Sequence, residues 1–162
     1  MKNQDQLIDH TVYRIRESCL EKLNSVHSDL QDVIMAAREI AEIDFIVAEG
    51  RRTSLRQRRL CYKGEEKTEA GPMVYGLGCF LLPQLDGLQC FSVAPYIELA
   101  TSVRYASQNL SIPICWGGLP LVQNLGATED SIEDLMFSQQ YSYTEEGKTL
   151  MLRPSYFELS TT

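Results

Sequence analysis

The sequence predicts an α+β fold, a small antiparallel sheet flanked by helices. Three observations carry this. Short β-branched runs and amphipathic stretches follow one another without a regular βα alternation. Asp86-Gly87 sits between two apolar runs, the signal for a tight hairpin and hence for antiparallel strands. Several segments repeat apolar residues at steps of three or four, the period of a helix with one buried face.

Taken in order, residues 5–24 read as a helix, with Ile8, Val12, Ile15, Cys19 and Leu23 on one stripe and Asp5 near its positive end. A second helix is predicted from about 29 to 43, capped by Ser28, with Gln31 completing a capping box. Its apolar face is Leu30, Val33, Ile34, Ala37, Ile40 and Ala41. His27, just before it, reads as a structural loop histidine. Phe45-Ile46-Val47-Ala48 is a strand, closed by Gly50. Thr53 caps a helix over 54–62, and Gly64 ends it. After a polar loop, Tyr75 to Leu82 reads as a strand ended by Pro83. Gln89 to Val93 forms its hairpin partner. Pro95 is placed as the first residue of a helix running to about Leu110, with Leu99, Val103, Ala106 and Leu110 inward. Ile112 to Trp116 is an edge strand, or one that starts at Pro113. Ser131 to Gln139 forms a short helix, and Thr149–Leu152 and Tyr156–Leu159 form strands.

A chain of 162 residues suffices for one domain with a true core. No apolar run approaches the roughly 20 residues of a membrane helix. The polar, acidic start from Met1 to Asp9 does not read as a signal peptide, so a cytoplasmic location is expected. The five cysteines are odd in number and irregularly spaced, which argues against a disulfide framework. Cys61, Cys79, Cys90 and Cys115 lack the paired spacing of a zinc site, and buried free thiols are the better reading. The net charge of −7 disfavours nucleic acid. Yet Arg51, Arg52, Arg56, Arg58, Arg59, Lys63 and Lys67 are seven of the fifteen basic residues and fall close together.

From about Val26 to Trp116 the chain resembles the zinc peptidases that include D-Ala-D-Ala carboxypeptidases and phage L-alanyl-D-glutamate endopeptidases, above all the small phage endolysins. Val26-His27-Ser28-Asp29-Leu30 is similar to the family's Val-His-Pro-x-Leu. Phe45 to Thr53, with Gln57 four further on, is similar to its strand–Glu-Gly-x-Arg-Thr–helix signature, and Gly64 falls on a family glycine. Ile112 to Gly118 is similar to Ile-x-x-x-Trp-Gly-Gly, and Tyr156-Phe157-Glu158-Leu159 to the closing His-Phe-Glu-Leu. The resemblance implies a D-Ala-D-Ala carboxypeptidase or Hedgehog N-domain-like fold. It implies a peptidase-like domain over residues 26–162 after an N-terminal helical extension over residues 1–25. It also implies phage or prophage origin.

The same resemblance implies that the chemistry has been removed. The metal positions fall on Met73, Phe80 and Tyr156, and the catalytic carboxylate on Arg153. Thioether and phenyl are poor or empty ligands, a phenol near pKa ~10 resists ionisation, and guanidinium cannot act as a base. His10 and His27 are the only histidines and cannot rebuild the site. No cofactor is expected, and the three metal positions would fill the old pocket with apolar surface. Arg52 matches the arginine that holds the substrate carboxylate, and Gln57 survives beside it. Plain core packing is the better reading of Met73 and Phe80 than ligand binding, and a paired or solvated surface cation is an equal reading of Arg51 and Arg52.

The expected protein is therefore a pseudoenzyme that binds a protein partner, a regulator or counter-defence factor. Its interaction surface would be drawn from Arg51, Arg56 and Arg59 and from the acidic cluster Glu129, Asp130, Glu133 and Asp134. The alternative is a peptidoglycan-binding or residual peptidoglycan peptidase. Nucleic-acid binding through residues 51–67 is disfavoured, and no membrane association is expected.

Overall fold

A computed structural model describes residues 17–148 and 151–161. The N-terminal helix is seen as α1, Glu17–Asn24; residues 5–16 of the predicted element, and Thr149 and Leu150 of a predicted strand, lie outside the described residues. Helix α2 is Ser28–Ile40 and strand β1 is Asp44–Glu49. Helix α3 is Ser54–Tyr62, strand β2 Gly78–Leu85 and strand β3 Leu88–Gln89. Helix α4 is Val93–Leu110, strand β4 Ile114–Trp116, helix α5 Ile132–Glu145 and strand β5 Tyr156–Leu159. The sheet is antiparallel in the order β1-β2-β5-β4, with β3 on the end of β2. The α+β reading holds.

Alternation sorts each strand's side chains. Phe45, Val47, Cys79, Leu81, Ile114, Trp116 and Phe157 are buried on the inner face. There α2 and α4 pack with Leu30, Val33, Ile34, Leu99 and Val103. Phe80, Cys115, Tyr156 and Glu158 point to the outer face, half-buried.

Several boundaries depart from the predicted ones. The cap of α2 is His27, whose Nδ1 accepts the Asp29 N–H at 3.1 Å, and not Ser28. Gln31 donates to the Val26 carbonyl at 2.8 Å instead of closing a capping box. Tyr75–Leu77 belong to a turn before β2, because Gly76 adopts φ 72° and its carbonyl accepts the His27 N–H. Strand β2 runs through Pro83. The Pro83 carbonyl accepts the Cys90 N–H, away from β1. In a strand a residue's N–H points the same way as its C=O, so the missing donor faces a side that β5, paired only to Gly78–Phe80, has already left. Asp86 and Gly87 take φ 51° and 78° at the predicted hairpin. Strand β3 stops at Gln89, and α4 begins at Val93, leaving Pro95 in the first turn where an absent N–H costs nothing. Edge strand β4 follows Pro113, as read. Met151 and Leu152 form no strand, whereas α5 extends six residues beyond the predicted Gln139.

Candidate functional site

The outer face of the sheet gathers the residues singled out in the sequence. Its geometry begins with a β-bulge. Phe45 and Val47 face the core, so strict alternation would send Glu49 inward as well. The register slips between Val47 and Glu49, and Glu49 pairs with Phe80. One extra residue thus turns a carboxylate from the core to the outer face. Phe80 pairs with Tyr156 on its other side. Glu49, Phe80 and Tyr156 form one row across three strands.

Arg52 closes over this row. Its side chain is buried, with the whole residue 6% exposed. Its Nε and Nη2 donate to the two Glu49 oxygens at 2.9 and 3.1 Å, a bidentate pair. Its Nη1 donates to Gln57 at 3.1 Å and to Glu66 at 2.8 Å. Four donors of the guanidinium are thus taken within the chain. Arg56 adds a bond to Glu49 at 2.5 Å. Gln57, buried at the inner side of α3, also donates to the Thr68 carbonyl, tying the 63–72 loop down. That loop carries Glu66 back over the site.

Arg153 enters from the far side. Trp116 Nε1 donates to the Pro154 carbonyl at 2.7 Å, and the Arg153 N–H donates to the Gly117 carbonyl at 2.9 Å. A side chain at Gly117 would collide with the Arg153 backbone at 2.1 Å, so the approach requires glycine. Held there, Arg153 donates to the same Glu66 oxygen as Arg52, at 2.9 Å. Its guanidinium carbon lies 5.6 Å from the Phe80 ring centre and 5.8 Å from that of Tyr156; that of Arg52 lies 5.3 Å from Phe80. The rings of Phe80 and Tyr156 are 5.2 Å apart.

Burial works against the charges of Glu49, Arg52 and Glu66. It pushes the Glu49 carboxyl up, but bonds from Arg52 and Arg56 outweigh it and hold the group below its ordinary range. The same contest, won by Arg153 and Arg52, keeps Glu66 low. Tyr156 goes the other way. Burial and then its 2.5 Å hydrogen bond to Glu158 push the phenol up, so it stays a protonated donor.

A zinc ion does not fit this donor set. Phe80 offers no donor atom, Tyr156 is held away from phenolate, and two guanidiniums stand beside the rings. Among the described residues no group of three His, Cys, Asp or Glu side chains could hold a metal. Met73 is buried, and its carbonyl accepts the Arg52 N–H at 2.9 Å.

Of the predicted surface residues, Arg51 donates through Nε to the Val74 carbonyl. Arg56 is tied to Glu49, while Arg59 is exposed on α3. Glu129 and Asp130 precede α5, Glu133 and Asp134 lie in its exposed first turn, and the Asp130 carbonyl is taken by Arg104. The basic set thus lies on and just before α3, and the acidic set on and just before α5. Sequence reasoning missed Glu66 and Glu158 as members of the site, and gave Glu49 no role. A shallow cleft of about 400 Å³ borders the cluster, lined by Trp116, Arg153, Tyr156 and Glu158 among others.

The sequence model of a family described as phage L-alanyl-D-glutamate peptidase matches residues 11–140. No curated protein matches the chain. The solved structure of Serratia marcescens L-Ala D-Glu endopeptidase ChiX aligns over 95% of this chain and 95% of that one, with a TM-score of 0.69 and 23% identity, which shows a shared fold.

Proposed function

Because the chain belongs to the phage L-alanyl-D-glutamate peptidase family, we propose that it is a catalytically inactive member, phage or prophage encoded, that acts by binding a protein partner. The observation that carries this is the Phe80–Tyr156 ring pair with the guanidiniums of Arg52 and Arg153 beside it. These side chains occupy positions where the resemblance puts two metal ligands and the base. Peptide hydrolysis in such a site needs a metal-activated water and a proton acceptor. An aromatic pair supplies neither, and a guanidinium stays charged. A regulatory or counter-defence role would use the scaffold's surface.

Gripping a peptidoglycan stem peptide through Arg52 is not favoured. Its carboxylate-binding edge is already occupied by Glu49 and Glu66.

The test is metal content and wall cleavage on one preparation. Purified protein dialysed against zinc is expected to hold far less than one equivalent and to release no soluble peptide from cell walls. Stoichiometric zinc, or released peptide, would return the chain to the working enzymes.

A further inference from the structure

Two helices turn outward faces to solvent that the other described residues leave uncovered. In α3 the inward side is fixed by buried Gln57 and half-buried Leu60 and Cys61. The helical period then groups Leu55, Arg58, Arg59 and Tyr62 opposite. All four are exposed, Leu55 at 56% and Tyr62 at 96%. In α5, Ile132, Leu135, Met136, Gln139 and Tyr143 face inward. Glu133, Asp134, Phe137, Tyr141 and Glu145 face outward. Phe137 is 73% exposed, and its ring stacks on Tyr141 at 6.4 Å.

The two faces match in build and oppose in sign. Each sets two large apolar side chains among charges, arginines on α3 and carboxylates on α5. The opposition extends to the whole chain. Residues 51–67 hold seven cations and two carboxylates, +5, against −12 elsewhere in a chain of net −7. The α3 segment is therefore the cationic part of a chain whose remainder is net anionic.

We infer that the α3 face of one copy docks on the α5 face of another, so that the protein self-associates. Leu55 and Tyr62 would pack on Phe137 and Tyr141, while Arg59, and Arg58 on leaving its exposed 3.7 Å pair with Glu69, meet Glu133 and Asp134 and set the register. The contact joins unlike patches, so it closes into a ring or runs on as a chain. It does not depend on whether the peptidase site is active.

Sedimentation velocity of the full chain at low salt tests it. Wild type is expected to pass from monomer to dimer or larger as concentration rises. Arg58→Glu/Arg59→Glu and Glu133→Lys/Asp134→Lys are each expected to weaken association about tenfold or more, and an equimolar mixture of the two to restore it. Circular dichroism checks folding. Should a charge variant unfold, Tyr62→Ser or Phe137→Ser replaces it, with the same loss expected. A wild-type chain that stays monomeric, variants that associate unchanged, or folded variants whose mixture stays monomeric each overturn the inference. So does a monomer that instead binds polyglutamate or duplex DNA through Arg58 and Arg59, since that gives the α3 face to another acidic partner.

Discussion

The two faces of one sheet follow different rules. The inner face is lined by apolar strand side chains and closed by α2 and α4, and its side chains answer mainly to packing. The outer face, built from alternate residues of the same strands, holds Glu49, Phe80, Tyr156 and Glu158 with three arginines above them. Because alternation separates the faces residue by residue, either can change while the other keeps the backbone in place. A fold shared with a peptidase at 23% identity is compatible with an outer face of different chemistry.

The largest expected effect lies on the inner face. Trp116 is 1% exposed, stacks on Phe157 at 6.2 Å and donates to Pro154. Trp116→Ala removes that packing, leaves a cavity and frees the loop carrying Arg153. A loss of about 4 kcal/mol is expected from urea unfolding. A loss under about 1 kcal/mol would break the contrast, because the inner face would then not set the stability.

Arg52 is the exception on the outer face. Removing it leaves two mostly buried carboxylates each with one exposed cation, Glu49 with Arg56 and Glu66 with Arg153. Arg52→Ala is expected to cost about 3 kcal/mol near neutral pH. The pH dependence has a definite sign. Both carboxyls are depressed in the fold, so their stabilisation is present above the ordinary carboxyl pKa. It is lost as pH falls through their folded values. Unfolding monitored down the acid limb should therefore show a slope in wild type that Arg52→Ala flattens. An unchanged slope would place the acid-sensitive groups elsewhere.

Tyr156 gives a smaller effect at the opposite end of the scale. Its phenol is raised in the fold, so its contribution is whole below the ordinary tyrosine value near pH ~10. It declines as pH rises, since the unfolded chain ionises first. Tyr156→Phe keeps the ring against Phe80, gives up the bond to Glu158 and should cost about 1 kcal/mol at neutral pH. The variant should also lose part of the alkaline slope. If that slope persists in full, Tyr156 is not its source.

The two faces were not equally legible in the sequence. Inner-face elements announce themselves through periodicity, so β1, α2, α4 and β5 fell within a few residues of their predicted places. Errors came where hydrogen bonding overrides pattern. His27 displaced Ser28 as cap, Gly76 turned an apolar run out of the sheet, and Pro83 sat where no partner needed its N–H. On the outer face, Arg52, Gln57, Phe80, Arg153 and Tyr156 were picked from a family pattern and lie in one cluster, with Met73 reaching it through its carbonyl. What joins them was hidden. Glu49 turns outward only because of a bulge that alternation cannot foretell. Glu66 looks like any loop carboxylate, because Arg153, its partner, is 87 residues away.

Arg153 marks where the outer-face network ends. It binds the same oxygen of Glu66 as Arg52, but its side chain is 48% exposed whereas that of Arg52 is 5% exposed. Water can replace what Arg153 gives Glu66, while Arg52 continues to hold the carboxylate from below. Arg153→Ala is therefore expected to change stability by no more than about 0.5 kcal/mol in urea unfolding, the ordinary worth of an exposed pair. In an Arg52→Ala background the same change should cost more, because Glu66 then loses its last cation. Additive losses would mean that the two arginines do not act on a common group. Coupling of the expected sign would separate a buried network that the fold requires from an exposed cation that it does not.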